Sequence, residues 1–356
     1  MTTNNTVFSK LKGQLSLNKP RLKVLTGLIL GVISIRDVNL VKLACYQESD
    51  ATDESQYRKL QRFFKLWLFS WEEIARLTLS KIPKPRRGYV LSMDRTNWKF
   101  GKKHINILTL GIVVGKVAVP LVWVTLPQTT KRGNSNTLHR IALMKKLLVV
   151  LPAEDIYALT MDREFNGYKW LKWLNEKKVT WVVRLRKDVH IDGKAAKFYR
   201  STRKSKQYPM RDVFGLSLYF GCKSIKKGRA NFIYVVSNNL TPHEALETYK
   251  ERWAIEVLFG HLKKKGFNLE NTHMTEKKKI NKLIAVLTLA FLFTIGFGIL
   301  LKEKKVLNAQ QKRKSTFRLA LDLLHSMFKK PRKYKENIEL FHQWVNSDLT
   351  PLNFVV

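Results

Sequence analysis

The chain has 356 residues, enough for a sizeable core and two or three structural units. Its 66 Lys and Arg against 27 Asp and Glu give a formal charge of +39, while 45% hydrophobic and 11% aromatic residues exclude a merely disordered basic tail. A folded polycation of this kind calls for a polyanionic partner, and nucleic acid is favoured over an anionic membrane because Lys and Arg contacts release its condensed counterions.

The first eighty-odd residues read as helical: an apolar stretch at 24–35, a second at 38–46, and a longer segment at 55–82. The basic residues ahead of the first stretch raise a signal peptide, but two Gly and a Thr interrupt its core and no clear cleavage site follows. The segment from Ser55, a plausible N-cap, interleaves Arg58, Lys59 and Arg62 with Leu60, Phe63 and Phe64 at helical spacing. Basic side chains there can grip phosphate while the apolar ones anchor the helix; a solvated charged face over a core stripe is the plainer alternative. Cys45 and Cys222 stand far apart in no metal-ligand spacing, which disfavours a disulfide framework or zinc site and fits a reducing cytoplasm. Lys84-Pro-Arg-Arg-Gly88 reads as a linker.

Strand patterns follow. Residues 89–93 run into Asp94, and runs at 104–114 and 117–126 flank the turn signal Gly115-Lys116, which predicts a three-strand meander. Gly133-Asn-Ser-Asn-Thr137 precedes a helix to residue 151, and a further apolar strand at 156–161 delivers Asp162. Either Asp alone reads first as a strand-end or turn residue satisfied by backbone donors, and only the two together with the Glu256 helix favour a site. Glu164 is the rival carboxylate in the second motif, ranked lower because it lies farther from its strand. A strand at 180–185 comes next, then short strand-like runs at 214–220 and 231–237 joined by Lys226-Lys-Gly-Arg229.

Residues 242–265 read as one helix, with Pro242 in its first turn and Gly266 just past its end. At about 100° per residue, Tyr249, Arg252, Glu256 and Lys263 share one outward ridge, while Ile255, Leu258 and Leu262 form an apolar back. A surface helix with an ordinary Arg252–Glu256 pair is the bland reading. Residues 283–301 are long and apolar enough to raise a membrane span; the expectation is a buried helix beneath the 242–265 helix, with Gly296 and Gly298 permitting close packing. His273 reads as a hydrogen-bonded loop residue. The tail beyond residue 302 reads as basic and helical.

The spacing Tyr-x2-Arg-x3-Glu-x6-Lys resembles the signature of the insertion-sequence-four family of bacterial transposases, and Asp162-Arg163-Glu164-Phe165 is similar to that family's second-Asp motif. The resemblance covers most of residues 86–301. It implies an α/β fold: a ribonuclease H-like mixed-sheet catalytic domain at 86–302 with a β-rich insertion at about 188–240. A helical DNA-end-binding domain would precede it at 1–85, and a basic helical region at 303–356 would follow for dimer or DNA contacts. Asp94, Asp162 and Glu256 would be the catalytic, metal-holding triad for two Mg²⁺ or Mn²⁺ ions, hard cations suited to carboxylates. Tyr249, Arg252 and Lys263, with Arg58, Lys59 and Arg62, would contact DNA. The implied activity is cut-and-paste transposition: binding terminal inverted repeats, hydrolysis at each end, and strand transfer into target DNA by a homodimer in the bacterial cytoplasm, nucleoid-associated, with no membrane role. A hairpin excision step would use Phe232 and Tyr234, although the insertion has no Trp. A catalytically inactive DNA-binding derivative and a metal-dependent nuclease without strand transfer are the alternatives.

Overall fold

The computed structural model describes residues 2–46, 50–127, 135–200, 209–225, 232–304 and 309–346. Residues 133–134 of the segment before the expected helix to residue 151, and the connection at 226–229, lie outside the described residues. The chain divides into two compact units: one of residues 1–83, 98–105 and 259–356, the other of residues 84–97 and 106–258.

The first unit is helical. Its N-terminal part holds α1 (Thr3–Leu11), α2 (Lys19–Ile35), α3 (Leu40–Tyr46), α4 (Asp53–Leu66) and α5 (Trp71–Ser80). The segment expected as one helix from residue 55 is thus two. Its cap is Thr52, whose side chain accepts from the Ser55 N–H, and a second cap at Ser70 restarts the chain as α5. Leu60, Phe63 and Phe64 are buried as the spacing predicts.

β1 (Tyr89–Phe100), β2 (Lys103–Val114) and β3 (Val117–Thr125) come next, then α6 (Thr137–Val150), β4 (Ile156–Met161), α7 (Tyr168–Glu176) and β5 (Trp181–Arg184). The short pair β6 (His190–Ile191) and β7 (Lys194–Ala195) is followed by β8 (Arg211–Val213), β9 (Leu216–Ser224) and β10 (Phe232–Ser237). Eight strands form one mixed sheet in the order β3-β2-β1-β4-β5-β10-β9-β8. The parallel trio β1, β4 and β5 lies at its centre. This arrangement is compatible with a ribonuclease H-like domain. The expected β-rich insertion extends this same sheet, because β10 pairs antiparallel with β5. Phe214, expected inside a strand, instead forms a turn with Gly215, at φ of 59° and 74°.

The expected helix over 242–265 is broken. α8 (Pro242–Lys250) starts at a capping box between Thr241 and Glu244, and α9 (Trp253–Leu262) follows a tight turn at Glu251–Arg252. Through the break the backbone tightens: Arg252 N–H donates to Tyr249 O at 3.1 Å and Ile255 N–H to Arg252 O at 3.2 Å. Tyr249 packs with Ala158, Val182, Val235 and Leu246, fixing α8 to the sheet.

The chain then returns to the helical unit with α10 (Lys277–Glu303), α11 (Ala309–Lys312), α12 (Thr316–Lys329) and α13 (Lys335–Asn346). α10 is long and apolar enough to cross a membrane, yet 89% of its most apolar window is buried inside the protein. It packs against α2, α4, α5, α12 and α13, so enclosure by helices explains its apolar circumference, and its Phe291 ring lies 6.3 Å from His261 at the end of α9. The two glycines are needed for this: a Cβ on Gly296 would lie 2.4 Å from the Trp344 ring, and one on Gly298 2.4 Å from Thr316 O. Lys282 reaches from α10 to the open carbonyls ending α4, donating to Phe64 O at 2.7 Å and Lys65 O at 3.3 Å.

Candidate functional site

Strand register brings the two Asp together. β1 and β4 run parallel with Met93 paired to Met161, so Asp94 and Asp162 follow as neighbours where that pairing ends. Asp162 ends its strand as expected, whereas Asp94 stands inside β1, which continues to Phe100. Below them the strands are locked by Thr160, which donates to Leu91 O at 2.9 Å and bonds Ser92 Oγ at 3.2 Å. Ser92 Oγ in turn donates to Arg252 O at 3.3 Å, tying the helix break to the strand.

The break aims two side chains at the carboxylates. Tyr249 and Arg252 are buried, so the outward ridge predicted from an unbroken helix does not form. Tyr249 donates its hydroxyl to Asp162 Oδ1 at 3.1 Å. Arg252 spans the other two acids, with Nη1 3.5 Å from Asp94 Oδ2 and Nη2 in a short ion pair with Glu256 Oε1. Its guanidinium also lies 5.6 Å from the centre of the Tyr249 ring. The apolar back is as predicted, with Ile255, Leu258 and Leu262 buried. Lys263 belongs to the helical unit and pairs there with Glu270 at 2.9 Å.

Several residues of this neighbourhood escaped the sequence. The Arg95 N–H donates to Asp94 Oδ1 at 2.7 Å, and its guanidinium reaches Asn106 at 2.8 Å and Glu164 at 3.4 Å. The rival carboxylate Glu164 is therefore part of the same electrostatic cluster. Arg140 of α6 holds the turn after Asp162, donating to Glu164 O at 2.9 Å and Ser135 O at 2.7 Å, with its guanidinium 5.0 Å from the Phe165 ring centre. Arg95 sits next to a candidate acid and could have been suspected for that reason; Arg140 carries no local signal.

Burial pushes the Asp94 carboxyl up to about 6; the Arg95 N–H and Arg252 oppose the rise, while Glu164 and Asp162 reinforce it. Burial likewise pushes the Tyr249 phenol up to about 12, keeping it a donor. For Arg252 burial acts to lower the pKa, but Tyr249, Glu256 and Asp162 outweigh it and the guanidinium is held above its usual value.

In the helical unit, α4 carries Arg58, Lys59 and Arg62. Arg58 pairs with Glu54 at 2.6 Å on the surface, and Lys59 meets the buried Gln56 at 3.4 Å. Arg58, Arg62 and Lys65 line a cleft of about 810 Å³ with Tyr57, His273 and Lys279. His273 stacks on Phe100 at 5.2 Å, the contact that fixes this loop residue. On the insertion, Phe232 and Tyr234 stack at 6.2 Å on one face of β10, and Tyr234 is buried.

The family model described as the transposase DDE domain matches residues 78–293, more than half of the chain. The chain belongs to that family. No curated protein matches it. Domains of the family act on DNA and generally use divalent metal ions. Among the described residues no three His, Cys, Asp or Glu converge closely enough to hold an ion. The donor set nevertheless fits a hard divalent cation, being all carboxylate, and a cationic guanidinium already bridges two of its three members.

Proposed function

We propose that this protein is a transposase of the insertion-sequence-four type, with Asp94, Asp162 and Glu256 as its catalytic triad. The observation that supports this reading is the pairing of Met93 with Met161, which sets two Asp side by side on neighbouring parallel strands, joined to Glu256 through Arg252. The three carboxylates would hold two Mg²⁺ or Mn²⁺ ions. When bound, such ions activate a water or 3′-hydroxyl and stabilise the leaving oxygen of an in-line phosphoryl displacement. The protein's own groups position these reactants. Tyr249 orients Asp162, and Arg95 fixes one oxygen of Asp94. Arg252 would take a flanking phosphate, where a planar guanidinium binds two oxygens at once, and Lys263 would be a DNA contact of the helical unit.

End recognition is assigned to the cleft beside α4, where Arg58, Arg62 and Lys65 face Lys279 and phosphate contacts would supply most of the affinity. A homodimer would hold two ends for joining to target DNA. The test is Mg²⁺-dependent nicking of DNA carrying the sequences that flank the reading frame, followed by joining to a target plasmid. Cleavage without joining would reduce the protein to a nuclease, and binding without cleavage would make it an inactive derivative.

A further inference from the structure

A cationic side chain pairs with two of the carboxylates read as metal-binding. Arg252 is buried, contacts both Asp94 and Glu256, and yet is incompletely satisfied: among the described residues its Nε has no hydrogen-bond partner. A buried donor left unpaired carries a desolvation penalty that a better ligand would remove. The contact to Asp94, at 3.5 Å, is also long for a charge-assisted bond. The backbone at Arg252 is held by Ser92, so the side chain can leave without the helix moving.

We propose that Arg252 is the resident counter-ion of the resting site, and that it must give up Asp94 and Glu256 to a phosphate before those carboxylates can take divalent metal at full affinity. This rests on the carboxylate assignment above and adds regulation to it. A DNA phosphate offers Arg252 two acceptor oxygens and a partner for its Nε. Once the guanidinium turns to that phosphate, the negative charge of Asp94 and Glu256 is uncovered. Phosphate binding and metal binding are then positively coupled, and the coupling is reciprocal. Free protein would carry a weakly metallated site, and hydrolytic power would appear only where DNA is already seated.

The test reads metal binding, not catalysis. Mn²⁺ alone is titrated into the full chain, with free Mn²⁺ followed by electron paramagnetic resonance, for wild type, Arg252→Met, Arg252→Lys, Glu256→Gln and Asp94→Asn. Removing a positive charge from beside two carboxylates should tighten Mn²⁺ binding at least about tenfold in Arg252→Met. Arg252→Lys keeps the charge but lacks the fork, and should tighten it by about threefold. Glu256→Gln should weaken it. If both Arg252 variants bind Mn²⁺ no better than wild type while Glu256→Gln binds it worse, the counter-ion proposal is overturned and the triad stands. If Glu256→Gln and Asp94→Asn leave Mn²⁺ binding unchanged, the triad itself falls and the proposal with it. Should Arg252→Met not fold, Arg252→Lys decides: affinity equal to wild type counts against the proposal.

Discussion

Tyr249, wedged against the sheet by Ala158, Val182 and Val235, turns its hydroxyl to Oδ1 of Asp162 at 3.1 Å. The phenol thus serves the carboxylate from inside the fold. Tyr249→Phe keeps the packing and deletes one hydrogen bond, so stability should change by no more than about 1.5 kcal/mol. Nicking should slow by about tenfold because Asp162 loses its orientation. Rates measured on a labelled end would decide the matter, and an unchanged rate would leave the hydroxyl a structural role only.

Glu256→Gln should abolish cleavage and strand transfer while end binding persists. Gln preserves size but not the charge a divalent cation needs, and DNA affinity comes mainly from phosphate contacts. Asp94→Asn and Asp162→Asn should behave alike, and the triple variant should cost little more than one, since residues acting as a unit are not additive. Gel shifts with a pre-cut end, run beside nicking of an uncut one, separate the two properties. Near wild-type nicking by Glu256→Gln would sink the triad.

Arg58, Lys59 and Arg62 should act together on the salt dependence of DNA binding. Each lost phosphate contact lowers the slope of log K against log salt by about 0.9, so the triple Ala variant should lose up to about three units of slope. The full chain is the proper material, because α4 packs against α3 and α10. An unaltered slope would return these residues to a solvated face. The Arg58–Glu54 pair would not mask the result, exposed pairs being worth roughly 0.5 kcal/mol.

His261 predicts a pH dependence of stability in the helical unit. It stacks on Phe317 at 4.2 Å, and burial, helped by Lys265 and Arg318, lowers its pKa to about 4. The unfolded chain takes up this proton near pH 6.5, the folded one only near 4. The full contribution is therefore present above the unfolded value and is lost as pH falls towards the folded one, up to about 3 kcal/mol at 1.36 kcal/mol per unit. Urea midpoints at about pH 7.5 and pH 5 should differ less for His261→Leu than for wild type. Equal slopes would place the acid sensitivity elsewhere.

Much of the catalytic sheet was legible in the sequence because apolar runs announce strands. Those at 89–93, 117–126 and 156–161 delivered the meander and the strand carrying Asp162, and the Tyr-Arg-Glu-Lys spacing marked the helical segment. The break at Glu251–Arg252 was not legible, since no Gly or Pro stands there; tertiary bonds from Ser92 and the two carboxylates hold it. α7 was missed although Trp170, Leu171 and Leu174 are buried at helical spacing, because its Lys residues blur a short pattern. The grouping of residues 1–83 with 259–356 left no local trace, as it depends on contacts between segments far apart in the chain.

That grouping has a consequence during synthesis. α2, α4 and α5 complete their packing on α10, and α1 on α13, so on the ribosome their core is incomplete until the sheet-bearing unit has been made. At roughly 5–20 residues per second that wait is on the order of ten to forty seconds. A fragment ending before α6 should accordingly show helix by circular dichroism without a cooperative melt, and a sharp melt would show that the early helices close a core of their own. Until α10 arrives, the nascent N-terminal helices have only one another to pack against, and every strand of the sheet has been synthesised before that core can close.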